Sequence, residues 1–328
     1  MRRRPSRAAA LSIALAALAP RAGAAQQGDP ETGGAAFLLL PVGARATALG
    51  QAATADGGSS EAVFWNPAGL ATLLHSEFAV HWSRTFASNN TAITFHFVDR
   101  RLGTLGVSGY LVDYGSQDVV PPGGGIPSGR VSPKNIELLA SYATEVAGAL
   151  AVGVSYKLVQ FRQDCQGDCG TLRSVTGTTH GLDVGAQLAL GAADALRIGV
   201  AVRHAGFALQ LENRDQADAL PTRLALGVAY RLPWPVRTEQ APFGARLLVD
   251  LQDEWGEYGS PDARFGVELG YGEMVQLRAG YAFLESESGG ASVGIGVRLQ
   301  RVVVDFARVF SDVGAFEDPV HLSLRILL

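Results

Sequence analysis

From Ser76 to the last residue the chain alternates apolar and polar positions with period two, segment after segment. This is the pattern of strands with one greasy face and one polar face. In Thr222–Leu232, Leu224, Leu226, Val228, Tyr230 and Leu232 share one side, while Arg223, Ala225, Gly227, Ala229 and Arg231 share the other. The same split recurs with Phe265, Val267, Leu269 and Tyr271, with Val293, Ile295, Val297 and Leu299, and with Val320, Leu322, Leu324, Ile326 and Leu328. About fourteen such segments are expected, the even number that a single-chain bacterial barrel requires. They lie at 76–84, 91–99, 102–114, 135–146, 149–161, 177–190, 194–205, 222–232, 243–252, 261–272, 274–284, 291–300, 301–310 and 319–328. Connections after even-numbered strands are mostly tight, as at Arg100-Arg101, Ala147-Gly148 and Gln300-Arg301; Pro233 to Pro242 is the long exception. Those after odd-numbered strands are longer and polar: Gly115 to Lys134, Arg162 to Thr176, Asp253 to Ser260. Short turns at one end and long loops at the other are the outer-membrane arrangement.

A soluble sandwich or lipocalin-like barrel would alternate too, but its outer face would be charged. Here the polar face is Gly and Ala with sparse Arg, Glu and Asp, which suits a narrow lumen. The chain carries 40 Gly in 328 residues, and only 18% of it is charged, against about 25% for ordinary soluble chains. Trp82, Tyr142, Tyr230, Tyr271 and Phe283 stand near the ends of the apolar stripes, where interface girdles belong. The predicted fold is therefore all-β, a transmembrane antiparallel barrel. Hydrocarbon offers no hydrogen-bond partners, so a sheet that spans it must close. Arg197, Arg203, Arg223, Arg231, Arg246, Arg264, Arg278 and Arg298 are read as lumen-facing charges, paired with Asp183, Asp250 and Glu268. They would form either a bracing lattice or a track for substrate.

The N-terminus carries Arg2, Arg3, Arg4 and Arg7, an apolar run from Ala8 to Ala19 and then Ala22-Gly23-Ala24, which reads as a secretory signal over residues 1–24. Cys165 and Cys169 lie close together in a polar stretch of an exported chain, so a disulfide within one external loop is expected. A formal net charge of −4 without a basic run argues against nucleic-acid binding.

Residues 25–75 break the alternation and are rich in Ala and Gly. Small residues suit packing inside a narrow tube, so this segment is expected to plug a barrel formed by 76–328, with Arg45 needing a buried carboxylate from among Glu137, Glu268 and Asp250. The segment contains Pro41-Val42-Gly43-Ala44-Arg45-Ala46-Thr47-Ala48-Leu49-Gly50 and Trp65-Asn66-Pro67-Ala68-Gly69-Leu70-Ala71. Asn66-Pro67 with Gly69 reads as a fixed turn. These two blocks resemble the PorV/PorQ family of outer-membrane proteins, within the wider FadL-like superfamily. The resemblance implies a fourteen-stranded barrel with an N-terminal hatch, in which Pro41, Gly43, Arg45, Gly50, Trp65, Asn66, Pro67 and Gly69 are the motif positions.

It implies one of two roles. PorV-like members serve type IX secretion, so the partners would be secretion-system components and cargo C-terminal domains. FadL-like members pass hydrophobic small molecules. The chain is short for a FadL transporter, which puts the secretion scaffold first, the transporter second and a purely anchoring barrel third; in each case outer-membrane lipid and lipopolysaccharide surround the barrel. No catalytic, metal or cofactor constellation is expected: Gly106-Val107-Ser108-Gly109 lacks the nucleophile spacing and falls mid-strand, and the six histidines are scattered. His81 and His96 are expected to meet across neighbouring strands as a hydrogen-bonded pair.

Overall fold

A computed structural model describes residues 35–85, 87–121, 124–146, 148–210, 217–233, 243–272, 274–284, 290–311 and 318–328. The expected signal at 1–24, residues 25–34 and nearly all of the 233–242 connection lie outside the described residues.

Fourteen antiparallel strands form one closed ring. They are β1 Glu77–Arg84, β2 Asn89–Asp99, β3 Gly103–Asp113, β4 Gly129–Glu145, β5 Leu150–Gly167, β6 Val175–Leu190 and β7 Leu196–Gly206. The ring continues with β8 Arg223–Leu232, β9 Phe243–Glu254, β10 Glu257–Tyr271, β11 Val275–Phe283, β12 Gly290–Leu299, β13 Val302–Ser311 and β14 Val320–Leu327. Each strand pairs with its sequence neighbours, and β1 pairs with β14, Val80 standing opposite Leu324, to close the cylinder.

Which face points outward decides what kind of barrel this is. On β8, Leu226 and Val228 are 51% and 41% exposed, whereas Ala225 and Ala229 on either side of them are buried. The large apolar side chains form the outer band and the small and polar ones face in, the inverse of a soluble barrel. Tyr142, Tyr230 and Tyr271 ring the end that carries the tight turns, and Trp82 and Phe283 stand toward the other. No described helix is long and apolar enough to cross a membrane.

Three expected loops are shorter than the sequence suggests. β4 begins at Gly129 and β5 runs to Gly167, so half of each flanking loop is strand; a short strand, Gln117–Val119, pairs against Gly129–Val131. The expected loop at 253–260 is strand apart from the turn at Trp255-Gly256. The physical reason is common to all three. Beyond the hydrocarbon both faces of a strand meet water, so apolar alternation stops while backbone pairing continues.

Candidate functional site

Most of residues 35–73 is buried inside the ring and hydrogen-bonded to its walls on several sides, while Leu74 and His75 are exposed. The backbone N–H of Ala44 donates to Ser323 Oγ on β14 at 2.9 Å, and that of Gly50 to Ser292 Oγ on β12 at 3.1 Å. The N–H groups of Ala53 and Thr54 both donate to Asp250 Oδ2 on β9, at 2.8 and 2.7 Å. Ser60 donates its N–H to Glu77 Oε1 on β1 at 2.9 Å. The inner-face glycines are where this backbone comes closest. A Cβ at Gly266 would lie 2.6 Å from the Leu49 carbonyl oxygen, and one at Gly280 would run into Leu49 and Gly50. Gly153 and Gly185 accommodate Asn66-Pro67 in the same way on the opposite wall.

The two motif blocks build the segment's local structure. Gly43, at φ 93°, leads into α1, Ala44–Ala48, and Gly50, at φ 63°, follows it; both sit in left-handed backbone that glycine adopts without strain. Asn66 caps a short 3-10 helix at Pro67–Thr72, its Oδ1 accepting the Ala68 N–H at 3.0 Å, with Pro67 in the first position. Asn66 Nδ2 also donates to the Thr54 carbonyl at 2.7 Å. A Cβ at Gly69 would lie 2.8 Å from the Asp56 carbonyl oxygen. Trp65 donates from its indole N–H to the Val42 carbonyl at 2.9 Å, beside the half-buried Pro41, and the Arg203 guanidinium lies 5.3 Å from its ring centre.

The lumen divides into two halves of different chemistry. Toward the tight turns it is ionic. Arg45 lies 2.9 Å from Asp56 and 3.5 Å from Glu268, and Arg246 bridges the same two carboxylates at 2.6 and 3.2 Å. Arg278 joins Glu268 at 2.7 Å to Asp305 at 2.6 Å, and Arg325 continues from Asp305 to Glu77 at 3.2 and 3.4 Å. The lattice thus runs from the segment through β9, β10, β11, β13, β14 and β1. Burying these charges is tolerable because each has opposite partners. Glu61 is the exception: buried against Gly43, it has an Oε2 atom with no hydrogen-bond partner among the described residues. Burial pushes its carboxyl up to about 8, against the opposing pull of Arg325 and Arg45.

Toward the long loops an apolar cluster sits over a charged floor. Phe37, Leu38, Val42, Phe64 and Trp65 of the segment pack with Tyr110, Val112, Leu139 and Val159 of the walls. Phe64 meets the Tyr110 ring edge-on at 6.1 Å between centres. A slot of about 10 Å³, room for one water, remains between Leu38–Leu40 and a polar floor of Glu137, Lys157, Arg203 and His204. Lys157 Nζ, fully buried, lies 2.7 Å from Glu137, 2.8 Å from Asp183 and 2.9 Å from His204 Nδ1. A bulge aims His204 inward: Asp183 faces both Arg203 and His204, and His204 sits at φ 58° with its N–H donated to Asp183 at 2.6 Å.

Several expectations need correction. Of the three carboxylates proposed for Arg45, Glu268 serves it, whereas Glu137 pairs with Lys157 and Asp250 accepts backbone amides instead. Asp183 neutralises Lys157 rather than an arginine. Arg264 bonds Gln252 at 3.0 Å and Asp262 at 3.3 Å. Arg223 pairs with Glu254 at the long-loop rim, Arg231 is exposed at the other rim, and Arg298 there bonds the Gln300 carbonyl at 3.2 Å. These three stand at strand ends, where an inward side chain reaches water. His81 and His96 do not pair: the register sets His96 opposite Glu77 and His81 opposite Ala92, and His81 Nδ1 bonds Ser323 Oγ at 2.8 Å. Cys165 and Cys169 are disulfide-bonded as expected, but Cys165 lies in the extension of β5.

Asp56, Glu61, Glu77, Lys157, Asp305 and Arg325 belong to the site although no sequence motif marks them. Strict parity along β1, β5, β13 and β14 would have placed four of them inside; Asp56 and Glu61 lie where no alternation exists to read.

No protein-family model matches the sequence, and no curated protein does. Solved structures do match in fold. The Ralstonia pickettii toluene transporter TbuX superposes with a TM-score of 0.58 at 14% identity, over 87% of this chain and 98% of that one. The fold is that of the FadL-like barrels. The monoaromatic hydrocarbon channel CymD gives 0.58 at 13% identity over 88% and 98% of the two chains, and a Pseudomonas aeruginosa FadL homologue gives 0.50 at 12% over 87% and 98%. Those with a stated activity are a transporter and a channel, neither of them an enzyme.

Proposed function

We propose that this chain is an outer-membrane channel for small apolar molecules, with residues 35–75 as the hatch that closes it. The observation that carries the reading is the apolar cluster inside the lumen. A water-filled pore has a polar interior, yet here Phe37, Leu38, Phe64 and Trp65 pack against Tyr110, Val112, Leu139 and Val159 as one apolar cluster above the charged floor of Glu137, Lys157, Arg203 and His204. Such a surface solvates a hydrocarbon better than an ion or a sugar. The likeness in fold to a toluene transporter and a monoaromatic hydrocarbon channel supports the same reading. The described lumen is filled, so passage requires the hatch to shift.

The alternative of a type IX secretion scaffold rests on the two motif blocks. Arg45, Trp65 and Asn66 are buried within the barrel, where they bind the hatch to itself and to the walls rather than offering a surface to cargo. The motifs therefore speak for hatch packing, and the channel has more behind it than the scaffold.

Uptake by intact cells tests the reading. Cells expressing the chain should take up labelled toluene several-fold faster than cells without it, and should gain nothing for a labelled disaccharide. Equal toluene uptake with and without the chain would overturn it.

A further inference from the structure

At the tight-turn end, between hatch and wall, lies a mostly polar cavity of about 180 Å³. Its cations come from three adjacent strands: Arg197 on β7, Arg231 on β8 and Arg246 on β9. The register brings them together. Arg231 stands opposite Arg246, and Arg197 stands opposite Ala229, the next residue along the same face of β8. Like charges directly opposite each other on neighbouring strands are unfavourable. Asp56 and Glu268 balance Arg246, but they also serve Arg45, and Glu268 serves Arg278 as well. Among the described residues that line the cavity, Asp194 is the one carboxylate. The hatch supplies the opposite wall through Gly57, Gly58 and Thr72. Gly57 is bare at the point where a Cβ would touch Thr72 Oγ1 and come within 2.9 Å of Arg197 Nη1, so the Arg197 guanidinium rests against the hatch backbone.

We propose that this cavity binds a small oxyanion, a phosphate or a carboxylate, held by the guanidiniums of Arg197 and Arg231 with Arg246 behind them. Planar guanidinium forks match oxyanion geometry in pairs. A volume several times that of one water admits a phosphate or a carboxylate group. The lining comes from the hatch, the inner face of three strands and a tight turn, with none of the outward apolar band, so its ligand is a soluble anion and not a lipid head group. Occupancy would link hatch to wall at the mouth. This inference does not depend on the transport reading, because binding is measurable with no solute moving.

The test is calorimetric titration of the full-length protein in detergent with inorganic phosphate, and separately with benzoate, at ionic strength held constant with chloride. At least one of the two should bind saturably, and whichever does identifies the ligand's chemistry. Affinity should fall roughly tenfold or more in Arg197→Gln and in Arg231→Gln, and stay unchanged in Arg130→Gln, whose side chain pairs with Asp118 at the other end. Arg231 is exposed, so its variant carries the test if Arg197→Gln does not fold. Absence of saturable binding by either anion, or equal affinity in the parent and the Arg231 variant, would overturn the proposal.

Discussion

The Asp250 carboxylate on the barrel wall accepts the backbone N–H of Thr54 at 2.7 Å, and the same oxygen takes the N–H of Ala53 at 2.8 Å. One wall side chain therefore satisfies two buried amides of the hatch where the hatch itself has no regular structure to do so. Removing the acceptor leaves both amides unsatisfied, at about 1–3 kcal/mol each. Asp250→Ala should lower the urea midpoint and make hatch residues exchange amide hydrogens faster. Asp250→Asn, which keeps one acceptor oxygen, should do so less. Equal effects from the two would mean that the charge, not the amide bonds, is what Asp250 provides.

The disulfide joins Cys165 in the β5 extension to Cys169, four residues on. Because the closed loop is short and lies beyond the membrane-spanning part of β5, loss of the bridge should cost at most a few kcal/mol. Cys165→Ser should still give a folded, membrane-inserted barrel, and the denatured, unreduced parent should show no free thiol on titration. A Cys165→Ser chain that does not assemble would show that the extension of β4 and β5 takes part in forming the ring.

Glu61 sets a pH dependence. Its carboxyl titrates near 8 in the folded protein against an ordinary value of 4.5, raised by burial. A raised acid binds its proton more tightly when folded, so its contribution to stability is fully present below about 4.5 and declines as pH climbs to about 8. Arg325, Arg45, Asp305 and Arg278 also act on this carboxyl. Glu61→Gln removes the titration, so the fall in urea midpoint between pH 5.5 and pH 8.5 should be smaller in the variant than in the parent. An identical fall in both would place the Glu61 charge in contact with water.

How much of this was legible depended on where each residue sat. Leu224 to Leu232 showed their outward stripe because the hydrocarbon demands an apolar side chain at every second position. Gly266 and Gly280 advertised a narrow lumen, but only the fold shows that Leu49 and Gly50 lie against them. The bulge at Arg203 and His204 left no trace, since one extra residue in a strand looks like a register choice. Asp56, which serves both Arg45 and Arg246, lies in a segment without periodicity, so nothing along the chain pointed to it. Pairing across a lumen is set by the diameter and shear of the ring, which a linear pattern does not encode.

In the proposed channel, apolar solutes pass only when the hatch moves from the wall. The Thr94 hydroxyl on β2 donates to Ser60 Oγ of the hatch at 2.9 Å, so cysteine sulfurs at these two positions come within bridging reach. Intact cells expressing Ser60→Cys with Thr94→Cys, in a Cys165→Ser and Cys169→Ser background, should take up labelled toluene no faster than cells without the chain while oxidised. After mild reduction they should recover the uptake of the same background lacking the two new cysteines. Uptake that stays high with the bridge fully formed would contradict a moving hatch, because solute would then be crossing with the hatch held in place.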